Sequence, residues 1–346
     1  MNNDSQLADR SLASAILGGD RLALARLLTQ IENDAPAGML VLGELFPHTG
    51  KAHLVGVTGA PGTGKSSLVN QLALYYRRPP DGAAPRRVAI LAVDPSSPFT
   101  GGAILGDRVR MRDLSGDPGV FIRSMAARGS LGGLAPATAG LAQVFDAAGF
   151  DLILIETVGA GQAEVDIARL AHTTLVVEAP GLGDDIQAIK AGILEIADIL
   201  VVNKADRPGV DNTERALRNM LQLAHPAPRI FQHHGRLETV AAPAAATVEE
   251  SLWETPVLRS VATEGAGVAE VAEAITRHRL HLEQTGGWER RERSRLQAEL
   301  EARLRQALLD RWRESTSPTR YDEILERLVA RRISPGQAVA ELIDGG

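Results

Sequence analysis

The sequence of 346 residues contains no cysteine. The fold therefore needs no disulfide, and the chain has neither a thiol nucleophile nor a thiolate metal site. Acidic residues, Asp4 and Asp9, stand near the N-terminus where a secretory leader would be basic and then apolar, so we expect no signal peptide. Together these features favour a cytoplasmic location.

Long apolar runs and an excess of one charge are also missing. No apolar run approaches the ~20 residues that span a bilayer, so we expect no membrane association. The formal net charge is −6, and no stretch of uncompensated lysine and arginine occurs. This argues against nucleic acid as a partner.

The most informative stretch is GAPGTGKS, residues Gly59–Ser66, which fits the phosphate-binding pattern G-x-x-x-x-G-K-[ST]. In such a loop, backbone N–H groups face the α- and β-phosphates, the lysine reaches the β/γ-oxygens, and the hydroxyl ligates Mg²⁺. An apolar run precedes the loop and an amphipathic segment follows it, which favours a P-loop over a glycine turn without a ligand. The predicted nucleotide contacts are Gly59, Ala60, Pro61, Gly62, Thr63, Gly64, Lys65, Ser66 and Ser67, and Lys65 is also a candidate catalytic residue.

Short apolar runs alternate with helical or loop segments through the middle of the chain. This order predicts an α/β fold with a mostly parallel P-loop NTPase sheet and helices on both faces. We expect an N-terminal helical extension over residues 1–50, the nucleotide-binding domain over 51–285, and a C-terminal helical dimerisation arm over 286–346. The predicted strands are Leu54–Thr58, Val88–Val93, Val120–Ile122, Leu152–Glu156, Thr174–Glu178, Ile199–Asn203 and Val257–Leu258.

The arm is predicted from a charge-dense segment, Trp288–Glu314, with apolar residues four apart. A solvated helix lying on the domain would explain this pattern. We favour a helix that buries the stripe against another chain, because a tail of this length would otherwise leave it exposed. The stripe consists of Leu296, Leu300, Leu304, Leu308 and Trp312.

Carboxylates follow two further segments and suggest a metal site. Asp94 ends the second predicted strand, and Asp107 follows a glycine-rich loop. Both could simply form turns before a helix. Their positions favour Mg²⁺ binding together with Ser66, since this ion prefers carboxylate, hydroxyl and water oxygens around phosphates.

The segment FDLILIETVG is a buried strand that ends in acid and glycine, like the D-x-x-G element of GTPases with glutamate in place of aspartate. Glu156 is predicted to hold the metal or to position the attacking water. The Gly159 N–H is expected to meet the γ-phosphate, and Gln162 is a candidate for orienting water. Glu156 and Gln162 are therefore candidate catalytic residues.

The segment NKAD follows another buried strand and favours guanine over adenine. The Asp206 carboxylate can accept from N1–H and the exocyclic amine of guanine, whereas adenine would leave it unpaired. Asn203 is expected to tie this loop to the P-loop, and the Lys204 stem to cover the base. The predicted cofactors are GTP or GDP with Mg²⁺.

With these motifs the chain resembles the MeaB/ArgK/MMAA family of P-loop GTPases, in the SIMIBI class. The resemblance covers most of the chain through Asp206. It rests on LASAILGGDRLALARLLTQIEN, APGTGKSSL, AVDPSSPFTGGAILGDRVRM, IETVGAGQAE and PGLGDDIQAIKAGILEIADILVVNKAD.

The resemblance implies a GTPase that serves an adenosylcobalamin-dependent acyl-CoA mutase, such as methylmalonyl-CoA mutase or a relative. It implies gating of cofactor delivery, protection or reactivation of the mutase, and a homodimer joined through the arm. It also implies a switch segment with Gly181, Asp184, Asp185, Gln187 and Lys190.

One loop departs from the family pattern. The family's last guanine loop usually has Ser-Ala, and here Ser260, Val261 and Ala262 place valine where that serine belongs. Guanine O6 would then depend on backbone N–H groups near Ala262.

Two other functions remain open at this point. A small-molecule kinase or ATPase could use the same P-loop, although Asp206 argues against it. A nickel-type metallochaperone GTPase would share the core but would need a metal-loading segment rich in histidine or cysteine. No arginine finger is evident, so slow intrinsic GTP hydrolysis is expected.

Overall fold

The computed structural model describes residues 12–95, 111–114, 116–127, 136–157, 163–181, 196–224, 230–233, 236–239 and 253–343. The chain separates into two compact units, residues 1–293 and 294–346. The expected three-part division stays a prediction.

Nine strands are described in the first unit. Seven of them form one parallel sheet in the order β3-β2-β4-β1-β5-β6-β9, and β7 and β8 pair antiparallel as a separate hairpin. The strands are β1 (His53–Thr58), β2 (Val88–Pro95), β3 (Val120–Ala127), β4 (Leu152–Thr157), β5 (Thr173–Glu178), β6 (Ile199–Asn203), β7 (Ile230–His233), β8 (Arg236–Thr239) and β9 (Val257–Ser260).

Helices cover both faces of the sheet, as the sequence predicts. The helices are α1 (12–17), α2 (Arg21–Glu32), α3 (Pro36–Leu45), α4 (Lys65–Arg77), α5 (Pro136–Ala147), α6 (Ala163–Leu170), α7 (Val210–Ala224), α8 (Val268–Gln284), α9 (Gly287–Ser315), α10 (Pro318–Val329) and α11 (Pro335–Ile343). Within the described part of the chain, no helix is both long and apolar enough to cross a bilayer.

Alternate residues of the central strands point into two apolar cores. Leu54 of β1 packs with residues of α2, α3, α5 and α6, whereas Val55 and Val57 pack with residues of α4 and α8. This alternation follows from the two-residue period of a strand. The mostly parallel α/β fold is therefore confirmed.

The N-terminal helices pack on one of these faces. The Gly18-Gly19 pair separates α1 from α2, and Asp20 caps α2 by accepting from the backbone N–H groups of Leu22 at 2.8 Å and Ala23 at 3.1 Å. Such a cap satisfies amides that the first helical turn leaves unpaired. The guanidinium of Arg21 donates to the Val120 carbonyl at 2.7 Å, which ties α2 to β3.

The second unit consists of the continuation of α9, then α10 and α11. The indole of Trp312 donates to the Leu342 carbonyl at 3.1 Å and packs edge-on against Tyr321. Ser317 caps α10 by accepting from the Arg320 N–H, and Pro318 occupies the first helical position, where proline is tolerated. Three members of the predicted stripe are more than half exposed in this structure: Leu300, Leu304 and Leu308.

Candidate functional site

The P-loop connects β1 to α4 and requires its glycines. Gly59 has φ 135°, and a Cβ there would lie 2.1 Å from the Val177 carbonyl oxygen. Gly64 has φ 93°, and its Cβ would lie 2.3 Å from Nδ2 of Asn203. Any larger residue would both strain the backbone and displace the neighbouring strand ends.

Lys65 is the first residue of α4, and its side chain folds back over the loop. Its Nζ donates to the carbonyl oxygens of Gly59 at 2.8 Å and Ala60 at 3.0 Å. The ammonium therefore lies at the helix N-terminus, where free N–H groups and the helix dipole already favour an anion. This arrangement can hold phosphate groups.

Ser66 and Glu156 form a buried pair beside the lysine. The Ser66 hydroxyl donates to Oε1 of Glu156 at 2.6 Å, although the two residues come from different elements, α4 and β4. A hydroxyl and a carboxylate are oxygen ligands of the kind that Mg²⁺ prefers, so the pair fits this ion. When bound, Mg²⁺ would neutralise charge on the phosphates of a nucleotide.

The other predicted metal ligands are placed only in part. Asp94 lies in β2, one residue beyond Val93, which pairs with Thr157, so its backbone is at the same sheet edge as Glu156. The side chain of Asp94 and the whole of Asp107 lie outside the described residues. Among the side chains that are described, no group of three histidine, aspartate or glutamate residues could hold a metal.

The NKAD loop is fastened to the P-loop. Asn203, the last residue of β6, donates from Nδ2 to the Thr63 carbonyl at 2.8 Å. Its Oδ1 accepts from the Ala262 N–H at 3.0 Å and from the Ser260 hydroxyl at 3.1 Å. One side chain thus joins three loops.

Lys204 makes a second connection between the same loops. It has a left-handed backbone, φ 56°, and its Nζ donates to the Gly62 carbonyl at 2.5 Å. Asp206, two residues later, is exposed.

The loop after β9 uses its first amides within the protein. The Val261 N–H donates to the Ala266 carbonyl at 2.9 Å, and the Ala262 N–H donates to Asn203. The structure thus gives Ser260 and Ala262 a contact with Asn203. Their roles toward the base, and that of Val261, stay predictions.

Several predicted site residues cannot be placed. Gly181 follows β5 with φ 74°, as a turn requires. The following residues lie outside the described part of the chain: Gly159, Gln162, Asp184, Asp185, Gln187 and Lys190.

Comparison with known proteins decides the family. The model of the family described as Methylmalonyl Co-A mutase-associated GTPase MeaB matches residues 24–317. The chain belongs to the MeaB family of P-loop GTPases. The resemblance predicted from the motifs is confirmed.

Relatives of this MeaB-family protein match it over most of their length. A protein of Pyrococcus abyssi (strain GE5 / Orsay), named as a GTPase, is 43% identical over 332 residues, which is 95% of each chain. GTPase ArgK of Escherichia coli (strain K12) is 34% identical over 292 residues, 83% of this chain and 80% of that protein. A crystal structure described as LAO/AO transport system kinase shares the fold, with a TM-score of 0.67 and 24% identity over 99% of this chain and 98% of that one.

This MeaB-family protein also has a buried polar cluster that the motifs did not predict. Asp198 accepts two hydrogen bonds from Arg291, at 2.7 and 2.8 Å, and lies 3.3 Å from Nε2 of His278. The Thr173 hydroxyl bridges Nδ1 of His278 at 2.8 Å and Nε2 of His53 at 2.7 Å. These residues join the N-terminal ends of β1, β5 and β6, at the edge opposite the P-loop.

Proposed function

We propose that this MeaB-family GTPase binds GTP with Mg²⁺ at the P-loop edge of the sheet and acts as a chaperone of an adenosylcobalamin-dependent acyl-CoA mutase. The client is methylmalonyl-CoA mutase or a relative. In this role GTP hydrolysis gates cofactor delivery and protects or reactivates the mutase. The family description, which names an association with methylmalonyl-CoA mutase, supports the client.

The observation that carries the nucleotide assignment is the position of Asn203. It bonds to the P-loop through Thr63 and to the last loop through Ala262, so the candidate base site and the candidate phosphate site form one receptor. Asp206 is exposed beside it and is free to accept from guanine N1–H and the exocyclic amine. Adenine lacks both donors, which is why GTP is the proposed nucleotide.

In the proposed site the candidate residues have three roles: phosphate binding, metal binding and water positioning. Lys65 binds the β/γ-phosphate oxygens, and Ser66 with Glu156 would hold Mg²⁺. Glu156 or Gln162 orients the attacking water. Intrinsic hydrolysis is slow in this proposal, since positioning of water without an added arginine leaves much of the transition-state charge uncompensated.

The proposal includes a cytoplasmic homodimer joined through the arm. Leu300, Leu304 and Leu308 repeat every four residues of α9 and are more than half exposed in the single chain. Burying such a stripe against a second copy would remove apolar area from water and supply the driving force for pairing.

The nucleotide assignment is tested by equilibrium binding of GTP and ATP to the wild-type protein and to Asp206→Ala. We expect wild type to bind GTP at least a hundredfold more tightly than ATP, because the mismatched base leaves a carboxylate unpaired. Asp206→Ala should lose most of this preference. Asp322→Ala, which removes an exposed carboxylate from α10, is the matched control and should behave as wild type.

Equal affinity of wild type for GTP and ATP would refute the guanine assignment and would favour a small-molecule kinase. The client assignment is tested separately, by measuring the binding of purified methylmalonyl-CoA mutase to the protein loaded with GDP or a non-hydrolysable GTP analogue. We expect binding that differs between the two nucleotides. Absence of binding to this mutase and to its isobutyryl- and ethylmalonyl-CoA relatives would refute the chaperone role.

A further inference from the structure

Two buried threonines end adjacent strands at the nucleotide edge of the sheet. Thr58 is the last residue of β1, and Thr157 is the last residue of β4. The Thr157 hydroxyl donates to the Thr58 hydroxyl at 3.1 Å. Since Val57 pairs with Glu156 in the parallel register, the threonines stand side by side on the same face, one residue further on.

The face on which they lie is otherwise apolar. Leu54 of β1, Ile153 and Ile155 of β4, and Ile167 of α6 belong to the same buried core. Gly56 lies between Leu54 and Thr58 on this face of β1. A Cβ at Gly56 would lie 2.6 Å from Ile167, so α6 packs closely on this face. Valine would fill the threonine sites without placing polar atoms in the core, so packing alone does not explain two hydroxyls here.

The two threonines directly precede two segments of the chain that are predicted to contact the nucleotide. Gly59, the first residue of the P-loop, follows Thr58 directly. Thr157 follows Glu156 and is two residues before Gly159, the residue expected at the γ-phosphate. The bond therefore links the strand that precedes the P-loop to the strand that precedes Gly159 in the sequence.

The end of β4 is held from both faces of the sheet. Glu156 points toward α4 and accepts from Ser66, whereas Thr157 points to the opposite face and donates to Thr58. These two side-chain bonds, on opposite faces, add to the backbone pairing of β4 with β1 and β2 and help to fix the orientation of the strand end. The threonine pair therefore contributes to the placement of Glu156 against Ser66.

We infer that Thr58 and Thr157 are positioning residues for recognition of the γ-phosphate and for hydrolysis. Through their shared hydrogen bond they align the end of β4 with the P-loop. This inference rests on the proposed GTP binding and adds to it the residues that couple the two loops.

The test compares GTP and GDP affinity, and kcat against KM for GTP, in full-length Thr58→Val, Thr157→Val and the double variant. Each valine keeps the shape and removes the hydroxyl. We expect the ratio of GTP to GDP affinity and kcat to fall about three- to tenfold, the range of one ordinary hydrogen bond. The double variant should lose no more than either single variant, because all three lack the same bond.

Two controls separate positioning from general stability. Thr157→Ser keeps a hydroxyl and should have the same ratio of GTP to GDP affinity as the wild type. Thr174→Val removes an equally buried threonine hydroxyl of β5, one that has no hydrogen-bond partner among the described residues, and should leave the ratio unchanged.

An unchanged ratio and kcat in both valine variants, or single effects that add in the double variant, would overturn the inference. So would an equal effect of Thr174→Val. If wild type binds GTP no better than ATP, the proposed nucleotide itself is wrong, and this outcome is distinct because it appears before any variant is made.

Discussion

Replacing Arg291 with methionine should strongly destabilise the first unit of the fold. The Asp198 carboxylate lies just before β6 and is buried. It accepts two hydrogen bonds from Arg291 and one from the Thr174 N–H at 2.8 Å. Methionine keeps most of the length of the side chain but leaves the carboxylate without its cationic partner.

The size of the effect follows from burial. Removing one partner of a buried ion pair costs about 3–5 kcal/mol, because the remaining charge is left uncompensated. The Arg291 side chain is 34% exposed, so water can replace part of the lost interaction. We therefore expect a loss of about 2–3 kcal/mol at pH 7.

The loss should depend on pH in a defined direction. Burial acts to raise the pKa of Asp198, but the hydrogen bonds from Arg291 and His278 outweigh it and hold the pKa well below its ordinary value. In wild type this pair therefore contributes stability above pH ~4, the pKa of an unfolded aspartate, and loses it as the pH falls further. Without Arg291 burial is opposed less strongly, so the pKa of Asp198 rises, and the penalty should be smaller at pH 5 than at pH 7.

The assay is urea unfolding at pH 7 and pH 5, followed by tryptophan fluorescence. Trp253 reports locally, since its indole donates to the Asp198 carbonyl at 2.7 Å. Arg313→Met is the matched control, because Arg313 forms an exposed pair with Asp310 at 3.4 Å and should change stability by less than ~0.5 kcal/mol. A loss below ~1 kcal/mol at pH 7, or an equal loss at both pH values, would show that Arg291 does not stabilise a buried Asp198 carboxylate.

Three further predictions follow from other parts of the fold. Gly64→Ala should weaken GTP binding at least about tenfold in calorimetry. The added Cβ would collide with Asn203, and holding an alanine at the φ of 93° seen for Gly64 costs ~1–3 kcal/mol. Burial lowers the pKa of His53 well below its ordinary value, so thermal stability should fall as the pH drops below ~6.5, where the unfolded chain takes up the proton, and His53→Gln should reduce this slope. Leu304→Glu should convert the proposed dimer to monomer in sedimentation, since it places a charge in the exposed apolar stripe.

For each of these three predictions, one outcome would contradict the physical argument. Gly82→Ala is the control for the first, because Gly82 shares the positive φ at 75° with no atom within 4 Å of the added Cβ, and equal affinity losses would refute the steric argument. A pH slope in His53→Gln identical to that of wild type would exclude His53 as its source. A monomeric wild-type protein would refute the dimer.

Local chemistry made much of the fold predictable. The strand runs are apolar on both faces because helices cover the sheet on both sides, so Ile199–Asn203 and its neighbours stand out as uninterrupted segments. The P-loop is recognisable because phosphate binding requires glycine and lysine at fixed spacing. A cap such as Asp20 is also open to recognition from local chemistry, since few residue types can satisfy the amides of the first helical turn.

Other features depend on residues far apart in the chain. The ends of parallel strands bring His53, Thr173 and Asp198 together, and His278 of α8 and Arg291 of α9 contact them there. No local pattern in the sequence connects these five residues. The hairpin of β7 and β8 was missed because prolines weaken the alternation around it. The threonine pair is equally invisible in sequence, since each threonine there is simply a good strand former.

The fastening of the NKAD loop to the P-loop has a thermodynamic consequence. Asn203 and Lys204 bond to the carbonyl groups of Thr63 and Gly62, so the two loops are joined by protein groups alone and the contacts require no atom of a ligand. The conformational entropy of both loops is therefore lost on folding. A guanine nucleotide then binds loops that are already ordered, and its binding free energy is not reduced by that entropy loss. Conversely, a ligand that spans both loops should raise the free energy of unfolding in proportion to the logarithm of its concentration, which makes thermal stability a direct measure of nucleotide binding.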